Sequence, residues 1–146
     1  MKIKLNLNAA ATVERIKAAA DAGLYAMVET AMEDASEFVP HGETGNLKSK
    51  VIINREPGKA QLVWESPQAR YLYYGLLMIS PSTGSAWAKK GETKVIKKPI
   101  KELNLSKGRN SKARKLWAHY AENQYGKRWK EVLQQVFKLN MEKGRS

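Results

Sequence analysis

The sequence has no cysteine, only two histidines (His41 and His119) and only two aspartates (Asp21 and Asp34). Without a thiol, disulfides, thiolate metal sites and cysteine nucleophiles are excluded, and synthesis in a reducing cytosol fits best. Neither histidine has a ligand-like neighbour at metal spacing. The two aspartates lie thirteen positions apart in one helical segment, so they form no compact carboxylate cluster for magnesium. Glu56 and Glu65 lack the preceding acidic partner that a nuclease pattern needs. Gly84-Ser85-Ala86-Trp87-Ala88-Lys89-Lys90-Gly91 has glycine and lysine without the order that wraps phosphates, so it is not a P-loop. Nowhere do eighteen apolar residues run together, and residues 1–8 alternate where a signal peptide would carry an apolar block. The expectation is a protein with no enzymatic activity, cofactor, small-molecule substrate or membrane span.

What is present is positive charge, placed unevenly. Residues 1–75 carry nine Lys/Arg and nine Asp/Glu, whereas residues 76–146 carry seventeen and five, so the whole net charge of +12 belongs to the second half. Such asymmetry fits a polyanionic partner or an acidic protein surface; a solvated lysine-rich face that only keeps the protein soluble is the plainer alternative. A length of 146 residues predicts one domain, with roughly two thirds of the unfolded chain's surface buried on folding.

Periodicity supplies the elements. Ile3, Leu5 and Leu7 alternate with polar residues, as in a half-buried strand. From Thr12, taken as an N-cap, Val13, Ile16, Ala20, Leu24, Met27, Ala31, Ala35 and Phe38 recur at three and four, which predicts one long helix ended by Pro40. Residues 51–55 and 60–65 read as strands, and Glu56-Pro57-Gly58-Lys59 between them carries the type II turn signature, so a hairpin is predicted. Short strands are expected over 76–80 and 93–98, around a basic excursion spanning about 80–112. The last helix has Trp117, Ala121, Tyr125, Trp129, Val132, Leu133, Val136 and Phe137 on its stripe, with Gly126 as a candidate break.

Half of the six tyrosines fall within Ser66-Pro67-Gln68-Ala69-Arg70-Tyr71-Leu72-Tyr73-Tyr74-Gly75. Ser66 suits an N-cap, Pro67 sits where a missing N–H costs nothing, and Gly75 suits the left-handed position after the last turn, so the segment reads as a short helix. On it Tyr73 joins Ala69, Leu72 and Leu76 on the buried side, and Tyr71 and Tyr74 are left as interface aromatics. A base-stacking platform is the competing reading, and such platforms sit more naturally on a sheet or open groove.

The order of four strings resembles a minor capsid protein family of tailed phages and prophages of Gram-positive bacteria: Gly42-Glu43-Thr44-Gly45-Asn46-Leu47, the tyrosine segment just quoted, Thr83-Gly84-Ser85-Ala86-Trp87-Ala88-Lys89-Lys90-Gly91, and Asn110-Ser111-Lys112-Ala113-Arg114-Lys115-Leu116-Trp117. The likeness covers roughly residues 35–146. It departs at Gln68, where members have tyrosine, and at Ser111, where they have proline. That family is similar to the neck and tail-completion proteins that join head to tail.

The resemblance implies an α+β fold in which a long N-terminal helix and a C-terminal helix pack on a small, mainly antiparallel sheet, with an extended basic β-excursion. It implies a virion protein, made in the host cytoplasm, that repeats as a homo-oligomeric ring around the DNA channel beside other neck, portal-side or tail proteins. In that setting Lys89, Lys90, Lys94, Lys97, Lys98 and Lys101 either face the channel, with non-specific contact to genomic DNA, or meet an acidic neighbouring ring. Trp87 is then the anchor candidate, against the alternative of a tryptophan folded back on the sheet. A stand-alone DNA-binding or packaging accessory protein is the alternative function.

Overall fold

The computed structural model describes residues 9–41, 46–105 and 110–143. The strand expected near residues 2–7 and most of the first shared string, residues 42–45, lie outside them. The order is α1 (Ala9–Ser36), a single turn α2 (Asn46–Ser49), β1 (Val51–Glu56), β2 (Lys59–Trp64), α3 (Ala69–Tyr74), β3 (Met78–Ile79), β4 (Val95–Ile96) and α4 (Trp117–Lys143). The fold is α+β, as expected, and among the described residues the strands form two separate two-stranded antiparallel ribbons, β1–β2 and β3–β4.

Helices α1 and α4 form an antiparallel pair: Arg15 donates to the Met141 carbonyl at one end, and Tyr125 donates to the Glu37 carboxylate at the other. α1 begins at Ala9, so Thr12 lies inside the helix and is not its cap. The alanines at 9–11 are the strongest helix formers, and they carry the helix back past the polar residue. The buried seam keeps Ala31, Ala35 and Phe38 of the predicted stripe and departs from it earlier along the helix. Ala19, Gly23, Val28, Ala31, Ala35 and Phe38 are buried, while Val13 and Ile16 stay 46% and 43% exposed. Small residues decide this. A Cβ on Gly23 would stand 2.7 Å from the Leu133 carbonyl oxygen, so the two backbones approach as closely as glycine permits. α4 runs unbroken through Gly126, which is therefore no break, because packing against α1 overrides its weak helix propensity.

Asp34 is buried in this seam, accepting from Trp129 Nε1 at 2.6 Å and Arg128 Nη2 at 3.3 Å. Both donors meet a full charge, which is what a buried carboxylate requires. The core closes at the Phe38 end, where Ala35, Phe38, Val39, Leu47, Ala69, Trp117 and Ala121 are buried together. Phe38 meets Tyr120 edge-on at 4.7 Å, and Trp117 meets both Tyr73 and Trp64 edge-on at 4.7 and 5.8 Å. Asn110 donates to the carbonyls of Glu37 and Val39, and the Arg114 N–H to that of Phe38. The fourth shared string thus caps the end of α1 before entering α4.

The hairpin forms about the predicted turn, its register running from Val51 facing Trp64 through to Glu56 facing Lys59, with Gly58 at φ 74° in the turn. Its tip is tied to α1 by the Gly58 N–H donating to Asp21 Oδ1 at 2.8 Å, and its first strand by Arg55 pairing with Glu29. No helix among the described residues is long and apolar enough to cross a membrane.

Candidate interaction surface

α3 positions the tyrosines. The Ala69 N–H donates to the Ser66 carbonyl, opening the first turn. Gly75, at φ 64°, ends the helix with its own N–H on the Leu72 carbonyl and that of Leu76 on Tyr71. Ser66 assists as expected of a turn-starting hydroxyl, its Oγ accepting from the Gln68 N–H at 3.3 Å, although Gln68 takes the capping position itself. Ala69 is buried and Leu72 and Tyr73 pack against the core, which is the predicted inner side. The Tyr73 hydroxyl is paired with His119 Nδ1, and burial, the largest influence, raises its pKa. Nothing along the chain pairs that histidine with a partner; the contact spans from α3 to α4 and has no local signal.

Tyr71 and Tyr74 lie outside the core, and the structure sends them to different places. Tyr74 is 50% exposed and lines a shallow apolar hollow of about 320 Å³ with Leu62, Trp64 and Trp117. Tyr71 turns toward the excursion. Lys94 places its ammonium 5.1 Å from the centre of the Tyr71 ring, a cation–π contact, and the Lys94 carbonyl accepts from Arg70 Nη1 at 2.9 Å. Residues 70 and 71 of α3 thereby hold the returning strand of the excursion.

The excursion is built on Glu92, the only acidic residue between Glu65 and Glu102. Its carboxylate accepts from Ser80 Oγ at 2.7 Å, the Lys89 N–H at 2.9 Å and the Ser82 N–H at 3.1 Å. Hydrogen bonds from Ser82, Lys89 and Ser80 lower its pKa from the ordinary 4.5 to about 2. Ser80, fully buried, also closes the turn beneath it, its carbonyl accepting from the Gly84 N–H and its N–H donating to Ser85. A run of lysines is thus folded around one carboxylate. Sequence reasoning passed over Glu92; the signal was there, a lone acid in a basic stretch following a run rich in hydroxyls.

From this loop Trp87 projects with 84% of its surface exposed, so it does not fold back on a sheet. Lys89 and Lys90 flank it in the loop and are exposed. Further on, Leu77 bonds to both Lys97 and Lys101: the Lys97 N–H donates to its carbonyl and its own N–H to the Lys101 carbonyl. Residues 98–100 between them leave the ladder as a bulge, which exposes Lys97, Lys98, Lys101 and 66% of Ile100. None of the six candidate lysines joins an ion pair among the described residues. The structure therefore brings Tyr71, Trp87 and Lys94 together, places Lys89 and Lys90 beside them on the same loop, groups Lys97, Lys98 and Lys101 at the bulge, and leaves Tyr74 apart.

Among the described residues no group of three or more His, Asp or Glu is placed to hold a metal ion. Comparison with curated proteins and with solved structures finds no match. A family model described as minor capsid protein matches residues 1–137, reaching back through α1 well beyond the part where the shared strings lie. The chain belongs to this minor capsid protein family and is a structural component of the phage particle.

Proposed function

We propose that the protein is a single-domain neck component, residues 1–146, which repeats as a ring around the DNA channel where head and tail join. It works by fitting between other subunits and turns over no substrate. A head-to-tail contact between identical copies closes into a ring when the rotation per copy permits, so each copy needs two different faces. The excursion supplies one face for docking to an acidic neighbouring ring, and the Lys97, Lys98 and Lys101 bulge steers the approach.

The observation that carries this reading is the state of the excursion. Six lysines without ion pairs among the described residues lie along the excursion, Lys89, Lys90 and Lys94 on the side of a tryptophan that is 84% exposed and Lys97, Lys98 and Lys101 at the bulge, and the loop bearing the tryptophan is ordered around Glu92. An ordered loop bearing an exposed aromatic suits docking to protein, since little side-chain and backbone freedom remains to be lost on binding. The alternative, a stand-alone DNA-binding or packaging accessory, rests on charge alone.

Replacing Lys89, Lys90, Lys97 and Lys98 by glutamate tests the proposal by complementation of a phage lacking the gene. The variant is expected to keep its circular dichroism spectrum and to abolish joined, infectious particles, with heads and tails accumulating separately. A normal particle yield would remove the excursion from assembly. Tight binding of the purified wild-type protein to duplex DNA in physiological salt would favour the accessory reading.

A further inference from the structure

Between the start of α3 and the excursion lies an open groove of about 450 Å³, lined chiefly by Lys50, Pro67, Gln68, Tyr71, Trp87 and Lys94. The second and third shared strings meet in it, and Lys50 at the edge of the hairpin completes it. We propose that this groove binds an extended acidic segment of a neighbouring virion protein, a carboxylate side chain held by Lys50 and Lys94 and an adjacent apolar side chain laid against Trp87 and Tyr71.

Charge complementarity points to this occupant. The lining has two ammonium groups and no carboxylate, and neither lysine has an ion-pair partner among the described residues. Lys94 is fixed through its carbonyl by Arg70 and its ammonium already leans over the Tyr71 ring, so little freedom is lost when it takes a carboxylate. The Tyr71 hydroxyl, a neutral hydrogen-bond donor as any phenol is near pH 7, lines the same groove. Trp87, at 84% exposure, has the most apolar surface to cover of any large hydrophobic residue described.

A nucleic acid fits the groove less well. Its volume is in the range of a small-ligand site and does not admit a duplex. A single strand needs a continuous cationic track for its phosphates, whereas the groove has two lysines, and the nearby backbone N–H groups of Ser82 and Lys89 are spent on Glu92. The proposal rests on the virion reading only for the source of the segment; the binding chemistry stands apart from it.

The test is a titration of the purified full chain with short blocked peptides that alternate phenylalanine or leucine with aspartate, followed by tryptophan emission. Trp64, Trp117 and Trp129 are wholly or partly buried, so Trp87 dominates the response. A saturable blue shift is expected at low salt. Lys50→Glu and Lys94→Glu should each weaken binding about tenfold, with an asparagine version of the peptide weakened to a similar degree. Trp87→Phe should abolish the blue shift while calorimetry still detects the peptide.

Equal binding of the asparagine version, absence of binding by every aspartate peptide, or affinity unchanged in both lysine variants would each overturn the proposal. So would oligo(dT) binding more tightly than the peptides and losing affinity in the same variants, which would make the groove a nucleic-acid site. Because the neck experiment leaves Lys50 and Lys94 intact, failure here with failed assembly there would refute the groove and keep the neck role.

Discussion

Gly23 and Gly126 are both helical glycines at the α1–α4 pair, and they make opposite demands. At Gly23 an added methyl would press on the Leu133 carbonyl at 2.7 Å, where backbone cannot yield without moving the helices apart. At Gly126 the nearest atom to such a methyl is Glu122 Cγ, on a flexible side chain, at 3.4 Å. Gly23→Ala is therefore expected to destabilise the protein by about 1–3 kcal/mol through overpacking. Gly126→Ala is expected to stabilise it by about 0.5–1 kcal/mol through helix propensity. Urea denaturation of both variants checks the pair; a Gly23→Ala variant as stable as the parent or more so would mean that the helices do not meet at this distance. The sequence showed both glycines within helical patterns and marked only Gly126 as a break. Which of two glycines a neighbouring helix leans on is a tertiary fact, invisible to spacing along one helix.

At the scale of elements, the excursion loop is governed by one titratable group. The folded Glu92 carboxyl titrates at about 2, below its ordinary 4.5, because three groups donate to its ionised form. A lowered folded-state pKa means the stabilisation is complete above about 4.5 and is lost as pH falls through about 2. Glu92→Gln keeps the size and removes the charge, and it should loosen residues 80–92 at neutral pH while leaving α1 and α4 unchanged. Hydrogen exchange at the Ser82 and Lys89 amides is the measurement. Faster exchange confined to this loop is expected, and unchanged exchange would show that the carboxylate is not its organiser. The hairpin was legible to within a residue at the strand ends because its turn chemistry is local: Pro57 and Gly58 dictate the reversal and the β-branched runs follow. The Gly75 end of α3 was legible for the same reason, whereas its start was not: the sequence marked Ser66 as the cap and Gln68 takes that position. Glu92 stood out in the sequence only as a lone acid, and its role as organiser was not legible because two of its three donors, Ser80 and Ser82, stand ten or more positions away.

At the scale of the molecule, the charge separation in the sequence corresponds to a physical division. The near-neutral first half forms α1 and the hairpin, and the basic second half supplies the excursion and the outward side of α4. The fold class and the helix pair were readable because long periodic segments must bury a stripe. The position of the seam was not, since close approach through Ala19 and Gly23 outweighed the larger Val13 and Ile16, which remain exposed. The candidate site was half legible. Trp87 and the lysines stand out by composition, whereas Lys50 enters the groove only because the chain folds back on itself. The family match extends the shared strings to residues 1–137 and makes the protein part of a phage particle. Its position within that particle is the central claim, and a cryo-electron microscopy reconstruction of the neck in purified virions measures it directly. The account predicts several copies of this chain around the channel axis, with residues 86–101 against the adjoining ring. Copies confined to the shell away from the tail vertex, or none in the particle, would contradict it.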